Sequence, residues 1–201
     1  MNNYHYIIAG FPELTQDFEN QNFDYQKMIA SVREQLSPED NRFLDWLEFG
    51  FNSDNLSRHF YRKAAACKSR FISEYFTFDK NIRNVIASRV AAKEKLDESK
   101  YTIGKVNTEF EEYGELQQIL ENANIIEREL EIDKLKWRKI SDIVNFHFFD
   151  MDVILAFLAK GHIVQRWIDL DKEKGAKLFE QLVQEVRGTF KGIDNNKENK
   201  N

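Results

Sequence analysis

The sequence predicts an all-α protein, a multi-helix bundle whose first residues form either a short extended segment or a short helix. Three observations predict it. Apolar residues recur at spacings of three and four along 56–75, 82–90 and 178–186, the period of one helix face. The two prolines, Pro12 and Pro38, both come early, so nothing beyond residue 38 forbids long helices. A length of 201 residues, 42% hydrophobic with 17 Phe, 7 Tyr and 3 Trp, carries enough apolar surface for a real core and too much for a solvated coil. With only 8 Gly and 2 Pro, collagen-like and low-complexity structures are excluded. One helical domain is expected over 1–190. A polar tail without apolar residues, expected to be disordered, follows over 191–201.

Each element has a local reason. Tyr4–Ala9 is rich in β-formers and breaks at Gly10-Phe11-Pro12, and it is too short for periodicity to decide its state. Residues 15–24 are polar with scattered Phe and read as a loop. Ser37-Pro38-Glu39-Asp40 starts a helix: Ser37 caps, Pro38 suits the first turn, and two acids face the positive end of the dipole. That helix carries Phe43, Leu44, Trp46 and Leu47 and fades near Gly50. Ser53-Asp54-Asn55 offers the next cap. Leu56, Phe60, Ala64, Cys67, Phe71 and Tyr75 then form one stripe, expected on a single helix. A further helix is expected after Asp79, carrying Ile82, Val85, Ile86 and Val90.

The second half repeats this logic. Residues 101–108 read as a connector and 109–120 as an acidic amphipathic helix. Ile126, Leu130, Trp137, Ile140 and Val144 form a stripe interrupted at Asp133. Asn145–Asp150 is expected to be an aromatic turn packed into the core. Val153–Ile168, apolar on most sides, is expected as a central helix. Leu178, Phe179, Leu182, Val183 and Val186 make a last amphipathic helix that stops at Gly188.

Charge and cysteine content exclude several classes. With 29 Lys+Arg against 34 Asp+Glu, the net charge is −5, a poor match for sequence-independent nucleic-acid binding. The single cysteine, Cys67, rules out an internal disulfide and fits a reducing compartment. No secretory leader is expected at Tyr4–Ala9, which lacks a preceding Lys or Arg. No membrane span is expected either. The longest strongly apolar run, Val153–Ala159, lies between Asp152 and Lys160, far short of the roughly 20 residues a span needs.

The chain carries no complete catalytic or ligand-binding motif. No pair of glycines forms a phosphate-cradling loop, so no nucleotide binding is expected. His5, His59, His147 and His162 have no zinc spacing, and His147 with Asp150 and Asp152 reads as an ordinary helix junction. Asp169-x-Asp171-x-Glu173, with Glu180 at the twelfth place, mimics a calcium loop. Its sixth place is Lys174, and Gly175 comes one residue late. Glu109, Glu111, Glu112 and Glu115 read as a solvated face. Glu127, Glu129, Glu131 and Asp133 precede Lys134, Lys136, Arg138 and Lys139, an order that suits the dipole and i,i+4 pairing. Cys67 lies on the stripe and is expected to be buried and inert. No catalytic residue, cofactor or metal is therefore assigned.

One surface stands out. Arg58, Arg62, Lys63, Lys68 and Arg70 coat the side of the 56–75 stripe helix that faces away from the stripe. In a net-acidic chain this is a local positive field. It is either an ordinary solvated face or a docking surface for an acidic partner.

Three segments carry a resemblance. These are the start Tyr4-His5-Tyr6-Ile7-Ile8-Ala9-Gly10-Phe11-Pro12-Glu13-Leu14, the Asp54-Asn55-Leu56 cap leading into the basic helix, and Val153-Ile154-Leu155-Ala156-Phe157-Leu158-Ala159-Lys160. They look like an uncharacterised bacterial family encoded among V-type ATPase subunits. They are also weakly similar to the C-type stalk component of V/A-type ATPases, called d in eukaryotes, an all-helical funnel that seats the central stalk on the membrane rotor ring. The resemblance implies a non-catalytic accessory or central-stalk subunit whose partners are other V-type ATPase subunits. Such a protein is cytoplasmic and held at the membrane through the complex. Asn55, Arg58, Arg62, Lys63 and Arg70 are then the candidate partner-binding residues. The alternative is a free-standing cytoplasmic helical adaptor unrelated to ATPases.

Overall fold

The computed structural model describes residues 4–18 and 22–171, and every regular element among them is helical. The helices are α1 (Tyr4–Ala9), α2 (Tyr25–Gln35), α3 (Pro38–Phe51), α4 (Arg58–Ala65), α5 (Arg70–Lys93), α6 (Tyr113–Glu121), α7 (Ile125–Ile143) and α8, over residues 151–171. Single 3-10 turns sit at Ser53–Asn55 and Glu98–Lys100. The helix expected at 178–186 and the tail at 191–201 lie outside the described residues.

Most helix starts are written in the chain. Asp24, Ser37, Ser57, Ser69 and Asn124 each turn a side-chain oxygen onto a free N–H of the first turn of α2, α3, α4, α5 and α7. Pro38 sits in the first turn of α3, where its missing N–H costs no bond. Tyr4–Ala9 is a helix, which settles the ambiguity of its sequence. The helix α2 is not among the elements expected from the sequence, although Tyr25, Ile29 and Val32 line up at helical spacing and are all buried.

Two expectations about the middle of the chain are corrected. The stripe from Leu56 to Tyr75 is not one helix: α4 ends at Ala65 and α5 restarts at Arg70. Ser69 drives the restart. Its Oγ accepts the N–H of Ile72 at 3.2 Å and donates to Asp152 Oδ1 of α8 at 2.7 Å. Conversely, no helix begins after Asp79. The carboxylate is buried mid-helix in α5, where it accepts from Tyr61 Oη and from Arg83 Nε, each at 2.8 Å. Cys67 is half-buried in the α4–α5 break rather than fully enclosed.

The core has two parts strung along α5, whose 24 residues span roughly 36 Å at 1.5 Å per residue. The first half of α5, with Phe71, Ile72, Tyr75 and Phe76, joins α2, α3, α4 and α8 in the main core. The second half, with Phe78, Ile82 and Val85, packs on Leu116 and Leu120 of α6 and Ile132 and Leu135 of α7. As expected, α8 is central: Ile154, Leu155, Leu158, Ala159 and Val164 are fully buried. Phe11 stacks on Phe157 with ring centroids 3.8 Å apart and so anchors the chain after α1 to α8. The connector at 101–108 is pinned where Asn84 donates to the Ile103 carbonyl and accepts the Ile103 N–H.

The aromatic turn before α8 does not enter the core. Phe146, Phe148 and Phe149 are 85%, 70% and 56% exposed. The reason is positional: α8 starts directly after Asp150, and its own Met151, Ile154 and Leu155 take the core space. Among the described residues, no helix is long and apolar enough to cross a membrane.

A cationic hollow between two short helices

The basic face survives in altered form. Arg58, Arg62 and Lys63 lie exposed on α4, opposite buried Phe60, Tyr61 and Ala64. Lys68 is exposed in the break, and Arg70 opens α5 instead of continuing α4. Arg70 is also occupied, its Nε donating to Glu74 Oε1 at 2.7 Å. Asn55 is not part of a charged surface. It sits in the turn before α4 and donates its side-chain N–H to the Phe49 carbonyl at 2.9 Å, which closes the C-terminal end of α3.

The structure adds a hollow that sequence reading missed. Between α3 and α4 lies a surface depression of about 450 Å³, walled by Arg42, Asp45, Trp46, Phe49, His59 and Phe60. A signal for one wall was present: Arg42, Trp46 and Phe49, at spacings of four and three, share one side of α3. The floor depends on Gly50. A Cβ there would lie 2.2 Å from Phe76 Cζ and 2.7 Å from Phe60 Cζ, so only glycine lets both rings reach α3. Phe60 packs edge-on against Phe76 and tilted against Trp46 and Phe49.

Arginine pairing sets the electrostatics. Arg33 holds Asp45 and Glu48 at 2.7 and 2.5 Å. Arg83, Arg138 and Arg166 also hold carboxylates. Among the described residues, Arg42, Arg58, Arg62 and Lys63 hold none. Arg62 donates only to His59 Nδ1, at 3.1 Å. Among the described residues, then, Arg42 in the wall of the hollow and the cations of adjoining α4 are not neutralised by a carboxylate.

A second polar assembly is internal. Asp133, the gap in the α7 stripe, is buried at 2% exposure. It accepts from Trp167 Nε1 at 2.9 Å and pairs with Arg166 at 3.2 Å and Lys136 at 3.6 Å. With Asp79, Arg83, Tyr75 and His162 it lines a cavity of about 140 Å³. Burial, and then the Asp79 charge, push the Tyr61 and Tyr75 phenols up. Burial, then the Lys136 cation, lower His162 to about 4, so its ring is neutral where it stacks on Phe51. Asp79, bonded to Tyr61 and Arg83, ties α4 to α5, and Asp133, bonded to Trp167 and Arg166, ties α7 to α8, so the cluster is an internal brace.

Other sequence expectations resolve locally. His147 contacts Asp150, while Asp152 turns to Ser69. No three His, Cys, Asp or Glu side chains converge as a metal site among the described residues. Glu173, Lys174 and Glu180 of the calcium-like segment lie outside them. The acids of α6 are not merely solvated: Glu112 holds Lys139 at 2.7 Å and Glu115 holds Arg138, which bridges α6 to α7.

Comparison with curated proteins finds no match, and comparison with solved structures finds none either. A family model does match, from residue 48 to residue 189, and so takes in the hollow from Phe49 onward, the basic helix and the whole internal brace. Its description is "Protein of unknown function (DUF2764)". With more than half of the sequence matched, the chain belongs to this family.

Proposed function

We propose that this chain is a non-catalytic accessory or central-stalk subunit of a bacterial V-type ATPase. It links soluble rotor parts to the membrane ring and sits at the membrane through the complex. The observation that carries the docking role is the α4 face, where Arg58, Arg62 and Lys63, without carboxylate partners among the described residues, adjoin an apolar hollow lined by Arg42. Exposed cations of this kind steer and register an acidic partner more than they stabilise a fold. The ATPase assignment itself is supported by the three segments that resemble the ATPase-associated family. They contribute α1, the turn before α4 and the start of α8. A torque-transmitting part needs stiffness, and close-packed helices around α8 with a braced interior supply it.

The test is recovery of partners. Tagged protein from its native cell should bring down V-type ATPase subunits from detergent-solubilised membranes, and Arg58→Glu with Arg62→Glu should weaken that recovery. A purely cytosolic species without enriched ATPase subunits would instead favour the free-standing helical adaptor.

A further inference from the structure

We propose that the hollow between α3 and α4 seats one large apolar side chain carried on an acidic segment of a protein partner. This rests on the reading of the α4 face as a docking surface and adds what fills it. The shape argues for an anchor. The hollow measures about 450 Å³, within the range of roughly 300–1,000 Å³ typical of binding pockets, and its walls are the aromatic rings of Trp46, Phe49 and Phe60. Phe49 is 51% exposed there, so its ring is open to a partner's side chain. Interface anchors are typically single large side chains set into such pockets, with a polar rim around them.

The charges specify the flanks. Arg42 lines the hollow from α3; on α4, Arg62 donates to the lining His59 and Arg58 precedes it in the chain, none of the three arginines with a carboxylate among the described residues. Asp45 also lines the hollow, and it and Glu48 share Arg33 as their cation. An incoming Asp or Glu is matched by Arg42, Arg58 and Arg62, three cations against the single net negative charge that Arg33 leaves on Asp45 and Glu48. A nucleic-acid backbone fits less well, because it asks for a long cationic track in place of an apolar seat, and the whole chain carries −5.

The seat is also preformed, which limits the ordering that binding must impose. The Asn55 bond to the Phe49 carbonyl ties the turn to α3, the Ser57 cap starts α4, and Gly50 lets Phe60 lock against Phe76.

Site-specific photocrosslinking tests this on the full chain in its native cell. Benzoylphenylalanine replaces the half-exposed Phe49, with a control at exposed Tyr101, and adducts are sequenced by mass spectrometry. The expected result is one dominant adduct at position 49, on an apolar residue with Asp or Glu within one helical turn on either side. The pair Arg42→Glu and Arg62→Glu should cut that adduct by about tenfold or more while the helical circular dichroism persists. The milder pair Arg42→Gln and Arg62→Gln should cut it less, and it supplies the answer if the reversal unfolds the chain. No adduct at 49, a lipid adduct, a segment without acids, or an adduct indifferent to both pairs would overturn the inference. An acidic segment from a protein outside the ATPase would keep the inference and remove the stalk reading. Recovery of ATPase subunits with no adduct at 49 would do the opposite.

Discussion

Trp167 on α8 donates its indole N–H to the carboxylate of Asp133 on α7 across 2.9 Å, and both side chains are buried. The same carboxylate pairs with Arg166, which also reaches Glu129 of α7. Two adjacent residues of α8 are thus read by one helix face, and this sets the rotation and height of α8 against α7. Packing of Leu and Ile alone tolerates small slides; a buried charge with three partners does not.

Removing that carboxylate should therefore be costly. Asp133→Ala leaves the Trp167 N–H and part of Arg166 without partners in the interior, and it should lower stability by about 3–5 kcal/mol. Asp133→Asn keeps an acceptor for Trp167 and should cost less. Urea unfolding followed by Trp fluorescence measures both, with a lower midpoint at unchanged slope as the expected result.

Gly50 and Gly114 should respond to the same substitution with opposite signs. Gly50→Ala drives a Cβ into the buried Phe76 ring and should cost about 1–3 kcal/mol despite the gain in helix propensity. Nothing lies within 4 Å of a Cβ at Gly114, at the start of α6, so Gly114→Ala should stabilise by up to roughly 0.5–1 kcal/mol. Paired thermal melts decide this.

Ser69→Ala removes both the α5 cap and the bond to Asp152, and a loss of about 1–2 kcal/mol is expected. Hydrogen exchange should rise first at the amides of Phe71, Ile72 and Ser73, because the effect begins at that terminus.

His162 should make stability depend on pH. In the folded chain its pKa is lowered to about 4 from an ordinary 6.5, first by burial and then by Lys136. The unfolded chain therefore takes up the proton first as pH falls. The contribution is fully present above about pH 6.5 and is lost progressively as pH drops towards 4. Between about pH 7.5 and 5.5 the expected loss is about 1 kcal/mol. His162→Phe, which keeps a ring on Phe51, should remove it in denaturation measured at both pH values.

Phe60 belongs to the core as well as to the wall of the hollow, whereas Arg58 and Arg62 lie outside the core. Phe60 is 3% exposed amid four aromatic rings, so Phe60→Ala should cost about 3–5 kcal/mol. Arg58→Glu with Arg62→Glu, on exposed positions, should shift the melt by no more than about 1 kcal/mol while altering partner recovery. A melt that collapses with the double reversal would make this face part of the fold.

Helical class, the α3 start at Ser37-Pro38 and the central place of α8 were legible because each follows from short-range rules. These are a cap within three residues, a stripe of period 3.6, and apolar side chains on most sides of one segment. The basic face was legible for the same reason, since Arg58 and Arg62 are one turn apart. The break between α4 and α5 was not. The spacing from Leu56 to Tyr75 suits an unbroken helix, and only Asp152, 83 residues away, gives the Ser69 hydroxyl its second bond.

Asp79 and Asp133 show the same boundary in reverse. An aspartate reads locally as a helix start or as a gap in a stripe, because its charge belongs in water. Tyr61, Arg83, Trp167 and Arg166 supply partners that no local pattern announces. The exposure of Phe146, Phe148 and Phe149 was likewise decided by which neighbours had already filled the core. The sequence by itself determined what the backbone does over one or two turns. Only the tertiary structure decided where two helices part, which carboxylates go inside and that α3 and α4 enclose a hollow, because each depends on groups far apart in the chain meeting in space.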